Sequence, residues 1–127
     1  MTRELQARYR TPKERLVGVF EVQGLSFTDP HFRGCAIIRA SAEASPGSAV
    51  EEESDSVRHW VHALFFELAQ QAGARDPKSL ALQLVLLYDG AGISALLDRD
   101  PSAETAARTV AAALVDAAIP ETPAVDA

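Results

Sequence analysis

The 127-residue chain has a formal net charge of −6, with 47% hydrophobic and 24% charged residues, which is typical of one soluble globular domain and excludes a largely disordered protein. No stretch approaches the roughly 20 uncharged apolar residues of a membrane helix, and the N-terminus leads into no apolar signal segment, so we predict a cytoplasmic protein without a membrane partner. From Glu43 onward, five lysines and arginines stand against fourteen acidic residues, which excludes nucleic-acid binding by that part alone.

The first half of the chain predicts helices separated by proline turns. RELQARYR, residues 3–10, is a basic helix end. Thr11 to Glu14 forms a capping box with proline at the first helical position, which predicts a second helix start. Asp29-Pro30 marks a turn, and the small apolar segment from Gly34 to Ser45 predicts a short buried helix. The inward stripe of the second helix is expected to contain Leu16, Val17, Phe20, Gly24 and Phe27.

The second half predicts three longer helices. Ser48 to Glu51 is a capping box, and the helix that it starts is expected to end at Gly73. Asp76-Pro77 and Asp100-Pro101 mark two further starts, the last helix ending near Ile119. The first of the three has an inward stripe of Val50, Val57, Trp60, Val61, Leu64, Leu68 and Ala72, and the last has a mainly alanine stripe of Ala103, Ala106, Ala107, Val110, Ala113, Leu114 and Ala117.

The segment VLLYDGAGISALL, residues 85–97, allows two interpretations. VLLY could be a buried strand followed by a phosphate-binding loop, or the whole segment could be one helix with a glycine notch. No other segment alternates with the period of a strand, and the glycines match neither GxGxxG nor the P-loop. We therefore predict a helix, and because it is apolar nearly all round it must be covered on every side.

A monomer of about five helices can hardly cover both this helix and the alanine stripe. We therefore predict an all-α bundle that forms a homodimer through its last two helices, which meet those of the partner as a four-helix interface. Small residues along the seam would let the backbones come close. The predicted interface residues are Gln83, Leu87, Gly90, Ser94, Leu97, Ala106, Val110, Ala113, Leu114 and Ala117.

Three segments together resemble the TetR-family transcriptional regulators: HFRGCAIIRASAE after the Asp-Pro turn, ELAQQAGARDP at a helix end, and LQLVLLYDGAGISALLDRDPSAETAARTVAAALVD. The resemblance implies that residues 11–119 form the C-terminal regulatory domain of that family. Residues 1–10 would then be the end of a linking helix, and residues 120–127 a disordered tail. The family's N-terminal helix-turn-helix domain is not in this sequence, so we expect DNA contact only through a domain outside it.

The resemblance also implies a small-molecule pocket among the helices, without identifying the side chains that line it. As single residues, the aromatic side chains are better explained as ordinary core. Asp89 could hold a polar end of a ligand or satisfy a neighbouring helix, and Cys35 could be reactive or simply buried. The residues that we assign to the pocket are Phe20, Phe27, Cys35, Ile38, Trp60, Leu64, Tyr88 and Asp89.

These patterns predict a regulator domain that senses a small apolar molecule, with no enzymatic activity. His59 and His62 lack a third ligand at recognisable spacing, so we predict no metal and no cofactor. The alternative hypothesis is a stand-alone dimeric helical module without DNA-binding activity. A small hydrolase or transferase that uses Cys35 or Asp89 is the third hypothesis.

Overall fold

The computed structural model describes residues 1–27 and 48–120 of the chain. These two ranges contain no strand and five helices, so the predicted all-α bundle is confirmed. The predicted short helix from Gly34 to Ser45 and the predicted tail beyond Pro120 lie outside the described residues. The helices are α1 (Thr2–Arg8), α2 (Pro12–Leu25), α3 (Ala49–Gln71), α4 (Pro77–Asp98) and α5 (Ala103–Ala118).

Side-chain caps fix two of the predicted helix starts. The Thr11 hydroxyl oxygen accepts a hydrogen bond from the Glu14 backbone N–H at 3.1 Å, and a carboxylate oxygen of Asp76 accepts one from the Ser79 backbone N–H at 3.1 Å. Each bond satisfies one of the backbone donors that a helix start leaves without a partner, and each helix has proline in its first turn. The local chemistry therefore sets both boundaries, as predicted.

The start of α5 differs slightly from the prediction. Pro101 and Ser102 form a turn, and the helix begins at Ala103. In that turn a carboxylate oxygen of Asp100 accepts a hydrogen bond from the Ser102 backbone N–H at 2.9 Å. Hydrogen bonds from the Ser102 backbone and side chain stabilise the charged carboxylate and lower the pKa of Asp100.

Helix α4 runs through residues 85–97 without interruption, which confirms the helical interpretation of that segment. It is preceded by a turn at Gly73, whose φ of 82° lies in the left-handed region that favours glycine. The Gly73 N–H donates to the Gln70 carbonyl oxygen and the Ala74 N–H to the Ala69 carbonyl oxygen, which closes the end of α3. The turn lets α4 fold back along α3.

Helix α2 is the centre of the bundle, since it packs against α1, α3 and α5. Helix α4 in turn packs against α3 and α5. Phe20 from α2, Phe65 from α3 and Leu84 from α4 are all fully buried at the middle of the core. The bundle therefore has one continuous hydrophobic core to which every described helix contributes.

Two predicted stripes need correction. On α3 the buried line runs from Val61 through Phe65, so Trp60 and Val57, predicted to face inward, are each 43% exposed at its edge. On α5 the predicted alanine stripe divides between two sides of the helix. Its Ala107 lies in a buried line with Ala111, Val115 and Ile119, whereas Ala106, Val110, Ala113 and Ala117 are exposed.

Close packing around α2 involves its glycines and the partly buried Tyr9. A Cβ atom added at Gly18 would overlap the ring of Tyr9, and one added at Gly24 would overlap the Glu104 side chain of α5. The Tyr9 hydroxyl donates a hydrogen bond to a carboxylate oxygen of Glu21. A guanidinium nitrogen of Arg108 lies 3.6 Å from the same carboxylate, so the residues around Glu21 join the end of α1 to α2 and α5.

We predict that Phe65→Ala lowers the free energy of unfolding by about 3–5 kcal/mol, because it leaves a cavity among residues that have no solvent access. Chemical denaturation followed by circular dichroism measures the change. Phe66→Ala is the matched control, since the neighbouring Phe66 is 38% exposed and its loss should cost far less. Equal losses for the two variants would contradict the assigned orientation of α3.

Burial, together with the hydrogen bond to Glu21, raises the pKa of Tyr9 to about 12. In the unfolded chain the pKa returns to about 10, so the contribution of Tyr9 to stability is fully present below pH 10 and is lost as the pH rises toward 12. Tyrosinate absorbance should therefore show a late titration that disappears in Tyr9→Phe and remains in Tyr88→Phe. A titration of Tyr9 near its ordinary pKa would contradict the hydrogen bond to Glu21.

Candidate functional site

Three aromatic rings from three helices meet on the inner side of α4. The ring centroid of Phe20 lies 5.7 Å from that of Phe65 and 6.2 Å from that of Tyr88, and the Phe65 and Tyr88 centroids are 6.0 Å apart. Both contacts of Tyr88 are edge-on, a geometry that the ring quadrupoles favour. Phe20 and Phe65 are fully buried, and Tyr88 is partly exposed at the edge of this aromatic cluster.

The sequence-predicted pocket residues divide into several groups. Phe20 and Tyr88 lie in the aromatic cluster, together with Phe65, which the prediction did not include. Leu64 and Phe27 are partly buried and pack against the core beside it. Trp60 is largely exposed. Asp89 lies on α4 in an ion pair, and Cys35 and Ile38 lie outside the described residues.

Asp89 is paired with a neighbouring helix. Its carboxylate accepts a hydrogen bond from the guanidinium of Arg58 on α3, and the two side chains are 22% and 33% exposed respectively. A carboxylate among apolar residues needs such a partner, because its burial without one is costly. Of the two roles that the sequence left open, the structure shows satisfaction by another helix.

Gln23 is a residue that sequence reasoning missed. It is only 9% exposed, and its side-chain amide nitrogen donates a hydrogen bond to the backbone carbonyl oxygen of Tyr88 at 2.9 Å. The position could have been found from the helical period, because Gln23 follows Phe20 by three residues on the inward side of α2. The bond links α2 directly to α4 at the aromatic cluster.

The outer side of α4 and the exposed side of α5 form a second candidate site. A shallow groove of about 300 Å³ runs between the two helices. A Cβ atom added at Gly90 would meet no atom within 4 Å, so this part of α4 offers space for a close approach. Five predicted interface residues line the groove together: Leu87, Gly90 and Ser94 from α4, and Ala106 and Val110 from α5.

The other predicted interface residues lie around this groove. Gln83 and Leu97 are exposed on α4, and Ala113 and Ala117 are exposed on α5, whereas Leu114 is partly buried and packs against the core. The prediction missed Leu86 and Ile93, which are 64% and 40% exposed on the outer side of α4. We refer to Leu86, Gly90, Ile93, Leu97, Ala106, Val110, Ala113 and Ala117 as the outer apolar surface.

By length and composition alone, α4 is also apolar enough to cross a membrane. Its inner side, however, contains Leu80, Leu84 and Val85, which are buried against the rest of the bundle. The ion pair from Asp89 to α3 also joins α4 to the bundle. Such contacts are typical of a helix that belongs to the core of a bundle and has its outer side exposed.

No family model and no curated protein matches the sequence. Among solved structures, the chain is similar to the crystal structure of a Streptomyces avermitilis protein described as a TetR-type transcriptional regulator. The TM-score is 0.71 with 31% sequence identity, over 87% of this chain and 61% of that protein. The chain thus spans less than two thirds of the length of that regulator. The resemblance noted in the sequence is confirmed at the level of the fold, and the chain has a TetR-like fold.

Proposed function

We propose that this chain is the effector-binding and dimerisation domain of a TetR-like transcriptional repressor. The solved structure that it resembles is described as a transcriptional regulator, and the similarity extends to 31% sequence identity. Contact with DNA would be made by a domain outside this sequence, since the chain is acidic and spans only 61% of that regulator. The protein would act in the cytoplasm, where its operator is.

The observation that carries the proposal is the outer apolar surface. Leu86 and Leu97 are each 64% exposed, although burying a leucine fully contributes about 1.5–3 kcal/mol. A continuous exposed apolar surface such as this one usually marks a site that binds a partner. Because Gly90 and the alanines of α5 leave room for close helix packing, a second copy of the same two helices is the partner that fits best.

The aromatic cluster is the second part of the proposal. Apolar pockets for small molecules are lined by aromatic side chains with a few polar groups, and the cluster combines three rings with Gln23. Tyr88 lies on the inner side of α4, while Gly90 on the same helix faces outward. A ligand that displaced α4 would therefore alter the dimer, and with it the spacing of two attached DNA-binding domains.

The proposal contains no catalytic step. Asp89 is the carboxylate that the hydrolase or transferase hypothesis would use for catalysis. Its ion pair with Arg58 accounts for its position in the fold. An ion pair between two helices explains the residue without a substrate.

We predict that Gly90→Glu and Ala113→Glu each convert a dimer to monomers, because each places a charge in the proposed seam. Size-exclusion chromatography with light scattering measures the mass, and circular dichroism shows whether the fold is kept. Ser56→Glu on the exposed side of α3 adds the same charge away from the outer apolar surface and should remain dimeric. Dimers of unchanged stability in the two seam variants would contradict the interface.

Native mass spectrometry of the freshly purified protein tests the two parts of the function together. We expect the mass of two subunits and an additional small mass that is released when the protein is denatured. A dimer with no added mass from any preparation, and with no affinity for small aromatic molecules, would contradict effector binding and leave dimerisation standing. A monomeric mass would contradict the regulator proposal as a whole.

A further inference from the structure

The side chain of Gln23 presents a buried acceptor with no partner. Its amide nitrogen donates to the Tyr88 carbonyl oxygen, and since that oxygen can only accept, the orientation of the amide is fixed. The amide oxygen Oε1 must then face away from Tyr88. It is buried, and no described residue donates a hydrogen bond to it.

An orphan acceptor at this position requires an explanation. Buried polar atoms are nearly always paired, because leaving one without a partner costs the free energy of its lost hydration. Methionine has a similar size and would fill the same place on α2 without an orphan oxygen, but it could not donate to Tyr88. The bond to Tyr88 accounts for the amide nitrogen of Gln23, and the amide oxygen suits a state of the protein in which a donor reaches it.

Within the described residues, one other buried side-chain oxygen has no hydrogen bond. It is Oε1 of Glu104, and it lies 3.4 Å from the guanidinium nitrogen Nε of Arg108, which compensates its charge. Gln23 has no such ion pair, and its side chain is neutral. The orphan oxygen of Gln23 thus differs from that of Glu104 in having nothing that offsets its burial.

The surroundings of Gln23 define what could supply the donor. Phe20 precedes Gln23 on α2, and Phe27 follows it just beyond the end of that helix. The Gln23 amide contacts the backbone of Tyr88 at the edge of the aromatic cluster. Phe27 and Tyr88 are both partly exposed. A ring-containing molecule would pack against these aromatic side chains, and a hydroxyl or N–H group on it would satisfy Oε1.

We propose that Oε1 of Gln23 is the polar contact of the effector site, and that the effector is an apolar ring compound with a hydrogen-bond donor. The inference rests on the proposed effector-binding function. It also excludes one class of ligand, since a carboxylate placed against Oε1 would set two acceptors against each other. Specificity would follow because a buried polar group left unpaired rejects an analogue that lacks the matching group.

Isothermal titration calorimetry of the full chain with three probes tests the inference. The probes are 2-naphthol, 2-methoxynaphthalene and naphthalene, which share one ring system, and of these only the naphthol donates a hydrogen bond. We expect 2-naphthol to bind about tenfold more tightly than the other two. In Gln23→Met this preference should vanish, whereas Gln70→Met, which changes an exposed glutamine of α3, should retain it.

Each other outcome has a defined meaning. Equal affinity of the three probes for the unmodified chain would overturn the Gln23 contact and leave an apolar effector site in place; a permanently held water on Oε1 would produce this result. Retention of the preference in folded Gln23→Met would also overturn it, since the donor would then meet another group. Binding of none of the probes would count against the effector site itself, and the inference would fall with it.

Discussion

Helix α4 is apolar nearly all round, and this constraint governs the rest of the structure. Leu84 and Val85 are buried against α3 and α5, yet Leu86, the next residue, is 64% exposed. One subunit can cover only the inner side of such a helix, because α3 and α5 flank it and leave the outer side open. The proposed dimer follows from this uncovered outer side. Helices α4 and α5 of a second subunit would cover the apolar residues that α4 and α5 of the first leave exposed.

The same helix places the two proposed sites close together. Tyr88 contributes its ring to the aromatic cluster and its carbonyl oxygen to Gln23, and Gly90 lies only two residues further on the outer side. A helix is stiff over so short a distance, so a displacement on its inner side is transmitted to its outer side. In the proposed regulator, this proximity would couple effector binding to dimer geometry without any long chain of contacts.

Helix α2 connects these sites to the start of the chain. Gln23, near the C-terminal end of α2, contacts the middle of α4. Glu21, on another side of α2, accepts the hydrogen bond from Tyr9 just after α1. Gly18 and Gly24 allow the Tyr9 ring and the Glu104 side chain to lie directly on the α2 backbone. A shift of α2 would therefore also move α1, which the sequence resemblance identifies as the end of a linking helix.

The sequence by itself determined the helices and several of their boundaries. Thr11 and Asp76 cap helices through hydrogen bonds to residues three positions away, so these starts depend on chemistry that is local in the chain. The all-α class and the uninterrupted α4 followed from the same local signals. The family resemblance of the sequence also agrees with the TetR-like fold of the whole chain.

Only the tertiary structure decided which sides of those helices face inward. Apolar residues surround α4 and alanines surround α5, so a periodic pattern could not separate core from outer surface and missed Leu86 and Ile93. The burial of Phe65 in place of Trp60, and of the polar Gln23, depends on contacts with residues far away in the sequence. A helical period can place Gln23 on the inward side of α2, but its contact with Tyr88 leaves no local signal, because it exists only after the helices have packed together.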